Sequence, residues 1–292
     1  MPIPPVTDPT DPPGFVVVVA PGDRIHFQDW GGDGVPGIVL VHGLAATSWT
    51  WAPIARRLVA VRRTIALDLR GHGLSDAPTE PGAYELELLG TDAIAVGEGA
   101  GVLADDVDRV VLAGHGFGAI VAAMAAVELG ERCVRLVLVD GGLTALPEAT
   151  GMDADEFLRG LDEPPEVMQS LGAFLADRRG WDPATWDADQ ERAARATVVE
   201  TPAGRLVPAT RPHALEAAVR SMFAYRPDAV LPKVAASIVA VRRITPGDEA
   251  LDAFDAPRLG LRAPIDVVEL AAPGHNLLRY RPDEVTAAIL GR

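Results

Sequence analysis

Residues 110–123 read VVLAGHGFGAIVAA: an apolar run, a glycine-rich turn, then an alanine-rich run. Two chemistries share that pattern. Gly114-x-Gly116-x-x-Ala119 matches the fingerprint of a dinucleotide site, where a helix N-terminus holds a pyrophosphate. On that reading Asp140, which ends the next apolar run, stands close to where a ribose-binding acid belongs. The same strand–turn–helix is also the shape of a catalytic elbow. There, small flanking residues let a central residue adopt a strained backbone that exposes its side chain above a sheet. Here the central residue is Gly116, which has no side chain, so no acyl-enzyme can form at that position.

The other reactive groups are sparse. The chain has six histidines, and no pair shows metal-ligand spacing such as H-E-x-x-H, so neither a metal nor a cofactor is expected. Cys133 is the single cysteine; it precedes an apolar run and reads as an inert core thiol. Arg242 and Arg243 end another apolar run. One of the pair could clamp a substrate carboxylate, and the alternative is a surface salt bridge.

These groups need elements to hold them. GFVVVVA and RIHFQDWGG, separated by Pro-Gly-Asp, read as an antiparallel hairpin. GIVLVHG, RTIALDLRG, VDRVVLAG, CVRLVLVDGG, ASIVAVRR and IDVVELAAPG are buried-strand candidates that alternate with helical patterns. Continuous apolar strands of this kind imply a mostly parallel sheet covered on both faces. Residues 143–233 break the rhythm with helical spacings (Val167, Met168, Leu171, Phe174, Leu175; Leu215, Val219, Met222, Phe223) and no convincing strand. They read as a helical cap inserted after the sixth strand, with 15–142 and 234–292 as the core. Residues 1–14 hold six prolines and read as a flexible or extended tail.

Four motifs in order resemble those of the α/β-hydrolase fold superfamily: VHGLAATSWTW, DLRGHGLSDAP, GHGFGA and PGHNLLRYRPDEV. The resemblance spans about residues 15–292. It implies an α/β-hydrolase fold, a mostly parallel sheet flanked by helices. The family's nucleophile, usually serine and sometimes aspartate or cysteine, falls on Gly116. His275 is then the general base. The backbone amides of Leu44 and Phe117 are the oxyanion hole, which survives the loss of a serine side chain. The acid behind His275 stays open: Asp248 in a slightly longer loop, Asp140 at the end of the sixth strand, or none. His42 lies in a structural turn and His115 flanks the elbow. With Arg242, Arg243, Met222 and Phe223, these two are the candidates for contact with substrate.

The formal net charge of −15 argues against nucleic acid and anionic membranes as partners. No apolar signal core or membrane-length apolar run occurs, and a cytoplasmic location is expected. The expected ligand is a small, largely apolar molecule. Four readings follow. One is an enzyme using His275 acid/base chemistry and the oxyanion hole, by direct water attack or in a lyase, isomerase or cyclase reaction. The others are a non-catalytic ligand-binding protein, a serine hydrolase whose nucleophile was replaced, and, most remote, a dinucleotide-binding protein.

Overall fold

The computed structural model describes residues 11–80, 82–103, 109–161, 170–244 and 265–292. The expected hairpin is β1 (Gly14–Val18) and β2 (Arg24–Gly31), paired antiparallel. Next come β3 (Gly37–Val41), β4 (Thr64–Leu67), β5 (Val110–His115) and β6 (Cys133–Val139), then, after a long intervening segment, β9 (Ser237–Ile244) and β10 (Asp266–Ala271). They form one eight-stranded sheet in the order β1-β2-β4-β3-β5-β6-β9-β10. From β4 to β10 all neighbours are parallel. This is the α/β-hydrolase fold, with a mostly parallel central sheet between helical layers.

Burial explains the unbroken apolar runs. Ile38 and Leu40 of β3 face one core cluster, with α1 (Ala52–Leu58) and α11 (Pro282–Leu290); Val39 and Val41 face the other, with α2 (Leu86–Gly99) and α3 (Phe117–Leu129). Period-2 alternation puts an apolar side chain on both faces, so every residue of β3 is buried. Helix α3 is apolar all round because it lies between sheet and α2, and its alanines let the helices approach closely.

The segment between β6 and β9 carries the helices α4 (Leu146–Thr150), α5 (Ala154–Gly160), α6 (Leu171–Trp181), α7 (Ala188–Ala196), α8 (Pro212–Ala224) and α9 (Pro227–Val230). Val167 and Met168 of the expected cap pattern lie outside the described residues. Contrary to the expectation of helices alone, this segment also contains strand: β7 (Val198–Glu200) and β8 (Leu206–Pro208) pair antiparallel around a turn in which Gly204 has φ 73°. Three residues per strand are too few to show an alternation in sequence. Helix α8 buries Ala214, Ala218, Val219 and Met222, and the Ser221 hydroxyl donates to the Tyr84 carbonyl at 2.7 Å. The end of this segment is thereby docked on the core. Of the proline-rich stretch, residues 1–10 lie outside the described residues; Pro13 accepts from the Asp29 N–H at 2.9 Å just before β1 begins. Among the described residues no helix is long and apolar enough to cross a membrane.

Candidate active site

Gly116 sits between β5 and α3 with φ 53° and ψ −114°, a left-handed conformation that side chains disfavour. Its N–H donates to the Val139 carbonyl at 2.9 Å, which ties the turn to the end of β6. Two residues on, Gly118 admits no side chain: a Cβ there would lie 2.3 Å from the Val41 carbonyl oxygen and 2.4 Å from that of His42. This close approach draws the start of α3 over the end of β3. The strand–turn–helix thus has the strained backbone of an elbow, with only hydrogen where a side chain would project.

The projected direction is faced by His275. A Cβ on Gly116 would lie 3.0 Å from His275 Nε2 and 3.9 Å from the Gly43 Cα. The other ring nitrogen, Nδ1, is 2.6 Å from Asp140 Oδ2. An ionised carboxylate only accepts, so Nδ1 carries the proton and Nε2 turns its lone pair toward Gly116. Asp140 follows β6 with φ 46°, which aims its carboxylate across the end of β9. There the Arg243 backbone N–H donates to Oδ1 at 3.0 Å. Burial opposes ionisation of Asp140, but the hydrogen bonds from His275 and the Arg243 N–H outweigh it and hold the carboxyl below the usual range. The dinucleotide reading needed Asp140 for a ribose; here that carboxylate is committed to His275.

The other candidates are distributed as follows. Phe117 is the first residue of α3, so its N–H is one of the four helix donors without an intrahelical acceptor. Leu44 follows Gly43 on the neighbouring turn and packs half-buried on the core. His42 is fully buried: Nδ1 donates to the Gly43 carbonyl at 2.7 Å and Nε2 accepts from the Leu69 N–H at 2.9 Å. Both its nitrogens are therefore engaged inside the protein. His115 donates from Nε2 to the His275 carbonyl at 3.1 Å, with its ring 4.6 Å from the His275 ring. Burial, then the nearby His275, push its pKa down to about 4, so it is neutral. Arg242 lies 3.6 Å from Glu269, and Arg243 Nε lies 3.9 Å from Asp140 Oδ2. Both guanidinium groups thus sit beside acids of the core. Met222 is buried in the core, and Phe223 stacks edge-on with Phe157 at 5.4 Å. Asp248 lies outside the described residues. Among the described residues, no three His, Cys, Asp or Glu cluster as a metal site would.

Sequence reasoning missed the Arg243 N–H, which holds Asp140, and gave His115 only as a neighbour of the elbow and a candidate for substrate contact, not as the ring that takes the His275 carbonyl. The first is a main-chain donor on β9 and leaves no signal in residue type. The second had one: a histidine inside the glycine turn.

A family model described as the alpha/beta hydrolase family matches residues 38–288. The chain belongs to the α/β hydrolase family. Among curated relatives, N-formylmaleamate deformylase from Pseudomonas putida is 38% identical over 123 residues, 42% of this chain and 43% of that one. Epoxide hydrolase 4 from Mus musculus is 31% identical over 126 residues, 43% of this chain and 34% of that one. The chain therefore spans less than half the length of these relatives. Among solved structures, E-2-(acetamidomethylene)succinate hydrolase superposes with TM-score 0.77 at 23% identity, covering 96% of this chain and 98% of that one. The thioesterase domain from the curacin biosynthetic pathway gives 0.74 at 17%, covering 96% and 99%. These two likenesses are of fold.

Proposed function

We propose that this α/β-hydrolase acts on a small carbonyl compound by general-base catalysis, without a covalent intermediate. One observation carries the reading: His275 Nε2 stands 3.0 Å from the place a side chain on Gly116 would begin, with its ring oriented by Asp140. The volume of a serine hydroxymethyl group is left to a water or to an atom of the substrate. A water there would give its proton to Nε2 as its oxygen attacks the carbonyl carbon. The oxyanion would then be met by the amides of Phe117 and Leu44. Collapse would return the proton from His275 to the leaving group and release a carboxylic acid. Asp140 would stabilise the imidazolium between those two transfers.

The names of the relatives support a small-molecule hydrolase, and a deformylase and the succinate hydrolase both point to carbonyl substrates. Among the cap's residues, the half-buried Trp186 and Phe223 favour a substrate with an apolar part. The test is turnover of a panel of small esters and amides in ¹⁸O-water, with rapid quench and intact-protein mass spectrometry. The reading expects ¹⁸O in the acid product, no burst and no mass added to the chain. A covalent acyl adduct on the wild-type chain overturns it.

A second reading, a serine hydrolase whose nucleophile was replaced, is favoured by one specific observation. The backbone at Gly116 keeps the strained φ 53°, ψ −114° of an elbow although glycine does not require it.

A further inference from the structure

His275 is held on three sides. Asp140 fixes its ring, His115 takes its carbonyl, and the short helix α10 (Leu277–Tyr280) begins two residues later, with the Leu277 N–H donating back to the His275 carbonyl at 2.9 Å. Four residues make no helix on their own. The Asn276 side chain caps it by accepting from the Arg279 N–H at 3.2 Å, and the buried Leu277 and Leu278 anchor one side. The outer side is bound to the cap. Arg279 Nε donates to Thr185 Oγ1 and Nη2 to the Asp182 carbonyl, both at 2.6 Å. Its guanidinium also lies over the rings of Trp186 and Tyr280, at 6.0 and 5.7 Å. Tyr280 in turn covers the residue before the histidine, because a Cβ on Gly274 would stand 3.1 Å from its ring.

We propose that Arg279 is a positioning residue: it fastens the cap segment Asp182–Trp186 to the turn bearing His275, so that the placement of the cap sets the placement of the imidazole over Gly116. Two charge-assisted hydrogen bonds from one planar group fix both distance and orientation, which a single flexible contact would not. A ligand that shifts the cap segment would therefore shift the ring. The inference rests on the hydrogen-bond geometry alone and does not require His275 to be a base.

The test reads the ring itself. In protein carrying labelled histidine, the His275 Cε1–H cross-peak is assigned through His275→Gln and followed in Arg279→Ala, Arg279→Lys and Thr185→Val. Thr185→Val removes one acceptor on the half-buried cap turn and leaves the core intact, so it carries the test should Arg279→Ala fold poorly. Both Arg279→Ala and Thr185→Val are expected to move and broaden the His275 peak while the distant His26 peak stays in place. Arg279→Lys, which keeps a charged donor, is expected to restore it in part. Amide exchange over 182–186 and 274–280 is expected to quicken together, by about tenfold or more. An unmoved His275 peak in the folded variants, or exchange that quickens in 182–186 alone, overturns the proposal. If these couplings appear but His275→Ala retains full turnover, the proposed chemistry fails and the positioning role stands.

Discussion

At the scale of single residues, the site is defined by what Gly116 lacks. In Gly116→Ser the new side chain must adopt φ 53°, and its Cβ must share space with His275 Nε2 at 3.0 Å. The variant is expected to lose about 1–3 kcal/mol of stability in urea denaturation. If the remaining groups are competent, it should also acquire an acyl adduct with activated esters, seen by mass spectrometry and absent from Gly116→Ala. Asp140→Asn is expected to lower turnover by about 10²–10⁴, because a neutral amide no longer fixes the tautomer that leaves Nε2 free to accept a proton. Its KM should change little. Gly116 and His275 were legible in sequence because each stands in a glycine turn after an apolar run. The choice between Asp140 and Asp248 was not. The Asp140–His275 contact spans 135 residues and crosses the end of β9. It depends on a left-handed backbone at Asp140 that residue type permits but does not demand.

At the scale of elements, the turns are held by close backbone approach and by buried charge. Gly118→Ala would set a Cβ 2.3 Å from the Val41 carbonyl and push α3 away from β3. A loss of about 1–3 kcal/mol or more, measured by thermal unfolding, is expected from such overpacking. The D-x-R motif after β4 works differently. Arg70 is buried with Asp92 at 2.8 and 2.9 Å and with Asp23. Removing Asp92 leaves the buried guanidinium with Asp23 and the Ala20 carbonyl alone, so Asp92→Ala is expected to cost about 3 kcal/mol. A swap of the pair for apolar residues should cost less. Asp68 in the same motif accepts from the Ser48 N–H at 2.7 Å, from the Leu74 N–H at 3.1 Å and from His26 at 2.8 Å. It thus ties the turns at Ser48 and Leu74 to strand β2. The buried parallel strands β3 to β6 were legible because such strands are written as continuous apolar runs, and the β1–β2 hairpin because a Pro-Gly-Asp turn divides it. The β7–β8 hairpin was not, since its residues are few and mostly half-exposed.

At the scale of the whole molecule, acid should act through buried neutral histidines. Burial first, then the neighbouring His42, push the pKa of His72 down to about 3; burial and His275 take His115 to about 4. Both bind protons more readily unfolded, near 6.5, than folded. Their contribution to stability is therefore complete above about pH 6.5 and is lost as pH falls toward 4 and 3, at about 1.4 kcal/mol per pH unit for each group. Asp68 adds to this at lower pH. Burial opposes its ionisation, but the hydrogen bonds from His26 and the Ser48 N–H hold it at about 2, so its contribution fades below the unfolded value of 3.8. The urea midpoint is expected to fall steadily from pH 7 to 4, and His115→Gln to flatten that slope by one proton's worth. The fold class was legible at this scale because four motifs occur in the right order on the right elements. The attachment of the segment 182–186 to the turn after β10 was not, because Arg279, Thr185 and Asp182 meet only in three dimensions.

The account stands or falls on His275 acting from above the empty elbow. The measurement that reaches this most directly is the turnover ratio between the wild-type chain and a folded His275→Ala variant, on the best substrate of the ester and amide panel. Loss of the general base is expected to lower the rate by about 10²–10⁴ while binding of the same compound is retained. Equal rates in the two proteins would contradict it.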